Sequence, residues 1–219
     1  MEILFEDNMI VVAVKPVGAL SQGDGGQIKS FADEIGSYLK ENGERGEVYV
    51  LHRLDRAVGG VMVYAKTRYS ASELSRQIAC GEFKKEYEAV VHGCPENESG
   101  IFEDLLFKDS RKNKSFVVGR MRKGVKPAKL SYETLETKGS AFGEVSLVRV
   151  RLFTGRTHQI RVQFSSRKMP LVGDGKYGGS DNCDIGLWSY SIKLTHPKSG
   201  ERMKFEKKPT NRPFDIFNL

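Results

Sequence analysis

Val48-Tyr49-Val50-Leu51-His52-Arg53-Leu54-Asp55-Arg56-Ala57-Val58-Gly59-Gly60-Val61-Met62-Val63-Tyr64 is the stretch on which the fold turns. Its two ends, 48–51 and 61–64, are short runs rich in β-branched and aromatic residues, which is the composition of strands. Between them lies a polar loop in which one carboxylate, Asp55, stands between two arginines and ahead of a Gly-Gly pair. An acid beside guanidinium groups is expected to stand as the carboxylate, which suits a nucleophile or base better than a general acid. The plainer reading is an aspartate accepting hydrogen bonds in a turn. Gly59-Gly60 reads equally as a tight turn or as a place where a ligand's backbone approaches closely.

Outward from this stretch the same pattern recurs. Residues 3–5 and 9–14 read as strands about a turn at Glu6-Asp7-Asn8. Lys15-Pro16-Val17-Gly18 ends the second. Phe31, Ile35 and Leu39 recur at helical spacing within 29–42, and Ala71, Leu74 and Ile78 within 70–80. Residues 87–91 and 130–135 read as strands. The strand over 145–153 alternates apolar Val148, Val150 and Leu152 with Arg149 and Arg151. The adjacent pair Leu147-Val148 marks either a bulge or a stretch buried on both faces. A helix over 157–164 with Thr157 as N-cap puts Thr157, His158 and Arg161 on one face. Residues 187–195 and 202–206 close the chain as two strands around Pro197-Lys198-Ser199-Gly200. Strands outnumber helices and follow one another directly, so the expected class is α+β, with a mixed, largely antiparallel sheet flanked by helices and loops. No boundary signal splits residues 1–219, so a single domain is expected.

The 219 residues carry a net charge of +7, but nine of the lysines and arginines fall between Lys108 and Lys129 against one acid, Asp109. That window is +8 and leaves the rest of the chain at −1. Basicity so localised points to a polyanion, most often nucleic acid, with a solvated loop as the plain alternative. No run of eighteen apolar residues or signal-peptide pattern occurs, so no membrane partner is expected. Cys80, Cys94 and Cys183 form no CxxC pair, which argues against a disulfide framework or zinc site and for a cytoplasmic location. Four histidines without HxH or HExxH spacing offer no metal site, and Gly18, Gly23, Gly25 and Gly26 are not followed by the GK[ST] of a phosphate loop. No coiled-coil pattern argues for a dimer, so a monomer is expected. Tyr87, in Lys84-Lys85-Glu86-Tyr87-Glu88-Ala89-Val90-Val91, is either a half-buried strand tyrosine or an aromatic platform under a base.

Taken in order, His52-Arg53-Leu54-Asp55-Arg56 with Ala65-Lys66-Thr67, then Lys85-Glu86-Tyr87-Glu88-Ala89, then Thr154-Gly155-Arg156-Thr157-His158-Gln159-Ile160-Arg161-Val162, then Pro170-Leu171-Val172-Gly173-Asp174 with Tyr177-Gly178, resemble the RluA-like family of RNA pseudouridine synthases. The opening Glu6-Asp7 and Val14-Lys15-Pro16-Val17-Gly18, and the closing Leu194-Thr195-His196-Pro197 and Phe205, extend the likeness over nearly the whole chain. The resemblance implies the pseudouridine synthase fold and the isomerisation of uridine in tRNA or rRNA to pseudouridine, with no cofactor and no metal. It makes Asp55 the catalytic aspartate, acting either as nucleophile or in removing a sugar proton, and Tyr87 the residue stacked on the flipped base. It makes Arg161 the partner of the aspartate, with Arg156 as second choice, and puts Arg53 near the phosphate of the flipped nucleotide. His52, Arg56, His158 and Gln159 belong to the same motifs and are expected at the substrate. Lys112, Lys114, Arg120 and Arg122 in the basic insertion 108–129 are expected on the RNA backbone. The resemblance begins at the catalytic domain, so the N-terminal S4 RNA-binding domain of many relatives is not expected. Two departures, Val58-Gly59 for the usual Thr-Ser and Gln163 for a common His, keep a second reading open: a non-catalytic RNA-binding or RNA-chaperone protein on the same fold. An RNA hydrolase using Asp55 as base would lack the metal or histidine machinery of such enzymes.

Overall fold

The computed structural model describes every residue except 24, 27, 180, 218 and 219. The chain forms two compact units, Met1–Lys85 with Ser189–Lys208, and Glu86–Trp188 with Pro209–Leu219.

In the first unit β1 (Glu2–Glu6), β2 (Ile10–Lys15) and β4 (Gly59–Ala65) pair antiparallel in that order, and the two-residue β3 (Tyr49–Val50) pairs β4 at Tyr64 and Ala65. β10 (Leu187–Thr195) contributes from Ser189 onward and pairs antiparallel with β11 (Arg202–Glu206) about the turn at 197–200. β2 and β4 are buried at every position, which is why they read as continuous apolar runs rather than alternations. Ile10, Val12, Val61, Val63, Ala65, Ile192 and Leu194 form one cluster with Leu74 of α2 (Arg68–Cys80). Tyr64, in the other phase of β4, meets Phe31 of α1 (Phe31–Glu41) with ring centroids 6.1 Å apart. Both helices start at capping boxes, Ser30 with Asp33 and Thr67 with Ser70, which satisfy backbone N–H groups that the first turn leaves unpaired.

Gly60 is required where it stands: its φ is 119°, and a Cβ there would drive into the backbone of Ser189. The backbone that comes close at Gly60 is the chain's own rather than a ligand's, and the Ser189 hydroxyl donates to the Val61 carbonyl at 2.9 Å beside it.

The second unit is an antiparallel sheet in the order β5-β9-β8-β6-β7, with β5 (Lys84–His92) contributing from Glu86, β6 (Ser99–Asp109), β7 (Lys114–Val118), β8 (Val125–Ser140) and β9 (Gly143–Leu152). The bulge lies on β8, where the register skips Leu135 opposite Val148 and Leu147. β9 itself is buried on both faces from Val145 to Val148. Residues 108–129 are not a loop. They are the end of β6, all of β7 and the start of β8, paired from Leu105↔Val118 to Asp109↔Lys114. Alternation survives in this stretch, with Ser115, Val125 and Ala128 buried among exposed cations, and that suffices to hold strands. The short helix α3 (Gln159–Ser165) lies on one face of this sheet. Its Val162 clusters with Leu106, Ala128 and Tyr177, and its Phe164 ring meets Phe102 and Tyr132 at 5.1 and 5.8 Å.

Candidate active site

Asp55 sits half-buried on the loop between β3 and β4, and that loop is gripped on both sides. The Ser21 hydroxyl donates to the Leu54 carbonyl at 2.8 Å and accepts from the Leu54 N–H at 3.0 Å. On the other side the Arg56 carbonyl accepts from the Gly18 N–H at 2.9 Å and the Lys15 ammonium at 3.4 Å. Val58 N–H closes a turn onto the Asp55 carbonyl at 3.0 Å. Val58 is 2% exposed, so the residue that departs from the family's Thr-Ser packs inward.

Lys15 has no exposed surface. Its ammonium also donates to the carbonyls of Pro16 at 2.8 Å and Ala19 at 2.7 Å. Burial pulls its pKa down to about 8, and the Asp55 charge acts in the opposite direction. One buried cation therefore ties the segment 15–19 to the Asp55 loop and faces its carboxylate electrostatically. In the sequence alone Lys15 carries no evident role. The signal was a lysine ending a strand of otherwise apolar residues directly before Pro16.

Of the other candidates in this segment, Arg53 is exposed, and exposed Arg56 donates from Nε to the Gly18 carbonyl at 3.0 Å. His52 faces inward. It is 8% exposed, its Nε2 accepts from the Val63 N–H at 3.2 Å, and its ring packs 5.5 Å from Phe83. Burial, with Lys85 adding to it, takes its pKa down to about 3. A neutral imidazole accepting from β4 holds the loop in place.

In the second unit Tyr87 lies on β5 opposite Val150 and is 6% exposed. Arg161 is 7% exposed and makes a two-pronged pair with Asp174: Nε to Oδ2 at 2.8 Å and Nη2 to Oδ1 at 2.7 Å. Asp174 is 1% exposed. A guanidinium so buried requires such a partner, because an unpaired charge there costs several kcal/mol. The ring of Tyr177 lies 5.2 Å from the Arg161 guanidinium. Its hydroxyl accepts from the Ser115 N–H at 2.7 Å and lies 3.0 Å from Nδ1 of His158. Asp174 and Tyr177 were visible only as members of a motif; their partners lie 13 and 62 positions away, beyond any local pattern.

The start of α3 also departs from expectation. The N-cap is His158, in the left-handed region at φ 54°, with no side-chain cap, rather than Thr157. Gln159 does the capping work from inside the helix. Its Oε1 accepts from the Arg156 N–H at 3.0 Å and the Thr154 hydroxyl at 2.8 Å, and its Nε2 donates to the Lys129 carbonyl at 3.1 Å. At 3% exposed, Gln159 shapes the turn from within. The half-exposed Arg156 donates from Nε to the Pro127 carbonyl at 2.9 Å. Gln163, the other departure, is fully buried and holds the Asp104 carboxylate at 2.7 Å and the Phe102 carbonyl at 3.3 Å, tying α3 to β6.

Along the ribbon, Lys112 and Arg120 are exposed. Lys114 donates to the Lys176 carbonyl at 2.6 Å and lies 4.8 Å over the Tyr177 ring. Arg122 lies 5.1 Å over Phe107. No group of three or more His, Cys, Asp or Glu able to hold a metal occurs among the described residues, and none of their helices is long and apolar enough to cross a membrane.

Comparison with known proteins gives this arrangement a family. The model of the RNA pseudouridylate synthase family matches residues 9–166. An uncharacterized RNA pseudouridine synthase of Bacillus subtilis, YhcT, is 32% identical over all of this chain and 71% of its own length. Ribosomal large subunit pseudouridine synthase D of Yersinia pestis is 35% identical over 94% of this chain and 66% of its own. Among solved structures, human RNA pseudouridylate synthase domain containing 1 and domain containing 4 each superpose with a TM-score of 0.77 at 21% identity. They cover 95% and 98% of this chain, and 83% and 90% of theirs, a likeness of fold. With most of its length matched by the family model and relatives above 30% identity, this α+β chain belongs to the RNA pseudouridylate synthase family, enzymes that isomerise uridine in RNA.

Proposed function

We propose that this chain converts particular uridines of folded tRNA or rRNA to pseudouridine, with Asp55 as the catalytic carboxylate. Large-subunit ribosomal RNA is the first substrate to try, since relatives such as the Yersinia pestis protein carry that substrate in their names. The reaction breaks N1–C1′ and joins C5 to C1′; the proton on C5 is lost and N1 takes one up, so nothing is oxidised and no co-reactant is consumed. A stacked, paired uridine hides C1′ and C5, so it must leave the helix at a cost of a few kcal/mol. Stacking on Tyr87 returns about 1–3 kcal/mol of that. Arg161 serves as the cation for the aspartate and Arg53 as a phosphate contact. Lys112, Lys114, Arg120 and Arg122 take the RNA backbone, with His158 and Arg156 at the motif turn.

The observation that carries this reading is the grip on Asp55. Ser21, Gly18 and Lys15 fix the loop on both sides of one carboxylate, as a reaction that depends on where that carboxylate points requires. RNA labelled with tritium at C5 of uridine tests it. The wild-type protein releases tritium to water, and Asp55→Asn binds the same RNA but releases none. Release by Asp55→Asn at the wild-type rate would remove Asp55 from the role.

A further inference from the structure

The turn joining β7 to β8, Gly119-Arg120-Met121-Arg122-Lys123-Gly124, is exposed throughout. Met121 is 59% exposed at its centre. Five large apolar side chains of the described residues are more than half exposed, Met1, Ile28, Tyr69, Ile101 and Met121, and Met121 alone has a cation on each side in sequence. Scattered apolar side chains at a surface are ordinary, but a turn needing only to reverse the chain favours Gly, Asn, Asp or Ser at its tip. Here the tip is an unbranched thioether among cations.

The turn is also braced. Val125 N–H donates to the Arg122 carbonyl at 3.0 Å, Gly124 takes a φ of 83°, and the Arg122 guanidinium stands over the Phe107 ring. Arg120 and Lys123 flank the tip, and Lys126 follows on β8.

We propose that Met121 is an apolar wedge that this turn inserts against unstacked bases of the RNA substrate. This deepens the reading of the chain as an RNA pseudouridine synthase and rests on it. The cations choose the occupant: a positive turn collects phosphates, and between the phosphates of an opened RNA lie base faces. A polarisable sulfur packs well on aromatic rings, and apolar side chains set among cations part base steps where a nucleic acid is distorted. Removing a uridine from a stack leaves its neighbours with bare faces, which an exposed methionine can cover.

The test uses the full chain and total ribosomal RNA from cells lacking the gene. Filter binding at fixed salt compares wild type, Met121→Gln, Met121→Leu and Arg120→Ala. Met121→Gln, polar at nearly the same size, raises Kd about fivefold and leaves the salt dependence of Kd unchanged. Met121→Leu stays within about twofold of wild type. Arg120→Ala instead flattens the salt dependence. Photo-methionine at position 121 gives, on irradiation, adducts whose mass lies on bases. A Met121→Gln protein that binds as wild type does, or adducts confined to ribose and phosphate, overturns the proposal. If wild type releases no tritium from labelled uridine, the enzymatic reading fails while binding and adducts still decide the wedge. If tritium is released and Met121→Gln matches wild type in Kd, the wedge fails alone.

Discussion

Lys15 is the residue at which burial and charge are most directly opposed. Held under the Asp55 loop with no exposed surface, it has a pKa drawn from 10.5 to about 8, a displacement that corresponds to about 3 kcal/mol. Below pH 8 the lysine is charged both folded and unfolded, and the burial penalty is fully present. Between about 8 and 10.5 the unfolded chain holds the proton that the folded one has released, so stability rises with pH. Urea denaturation should therefore show wild type gaining on Lys15→Met from pH 8 to 10.5 and keeping a constant difference from pH 6 to 7.5. A difference that is flat across the whole range would mean the ammonium is not buried as described. The pair Arg161–Asp174 gives a second prediction. Asp174→Ala leaves a guanidinium buried without its two-pronged carboxylate, and should cost about 3–5 kcal/mol in denaturant midpoint analysis. Asp55, Tyr87 and Arg161 were legible as residue types within motifs. Lys15 and Asp174 were legible only as letters, because what makes them matter is a carbonyl of Arg56 forty-one positions on and a guanidinium thirteen positions back.

Among elements, those with a clean period were read correctly and those built by side chains were not. Phe31, Ile35 and Leu39 declared α1, and all three are buried as the spacing requires. α3 is short, and its start is set by the Gln159 amide reaching back to Thr154, Arg156 and Lys129, an arrangement with no sequence period, so Thr157 looked like the cap. The strand pairing within residues 108–129 is not legible in the sequence, because its charge conceals its alternation. Its cations now separate by what they touch. Lys112 and Arg120 are exposed, whereas Lys114 braces Lys176 and Tyr177. Lys112→Ala and Arg120→Ala should each lower the slope of log K against log salt by about 0.7–0.9 with folding unchanged. Lys114→Ala should lower the thermal midpoint as well. β4 offers a pH test. His52 accepts from Val63 only when neutral, and burial holds its pKa near 3 against 6.5 unfolded. As pH falls from 6.5 toward 3 the unfolded chain takes up a proton that the folded one refuses, so stability drops by up to about 1.4 kcal/mol per pH unit. His52→Gln, which retains an acceptor, should flatten that acid limb. An acid limb unchanged by the substitution would place the loss elsewhere.

At the scale of the whole chain, the α+β class followed from many short strands succeeding one another, and the second unit bears this out as a run of antiparallel neighbours. What succession did not disclose is the return of β10 to the first unit, where the Ser189 hydroxyl reaches Val61 across 128 positions. The sign of that return was Gly60, held at a φ of 119° with the Ser189 backbone against it. Function was legible because the motifs carry chemistry in a fixed order, and the family model spans most of them. The measurement that bears most directly on this account maps pseudouridine by carbodiimide-dependent primer extension. It uses ribosomal and transfer RNA from cells lacking the gene, incubated with wild-type or Asp55→Asn protein. The account predicts stops at one or a few discrete uridines with wild type and none with Asp55→Asn, although both bind the RNA. Stops of equal strength with both proteins, or none at any uridine with wild type, would contradict it.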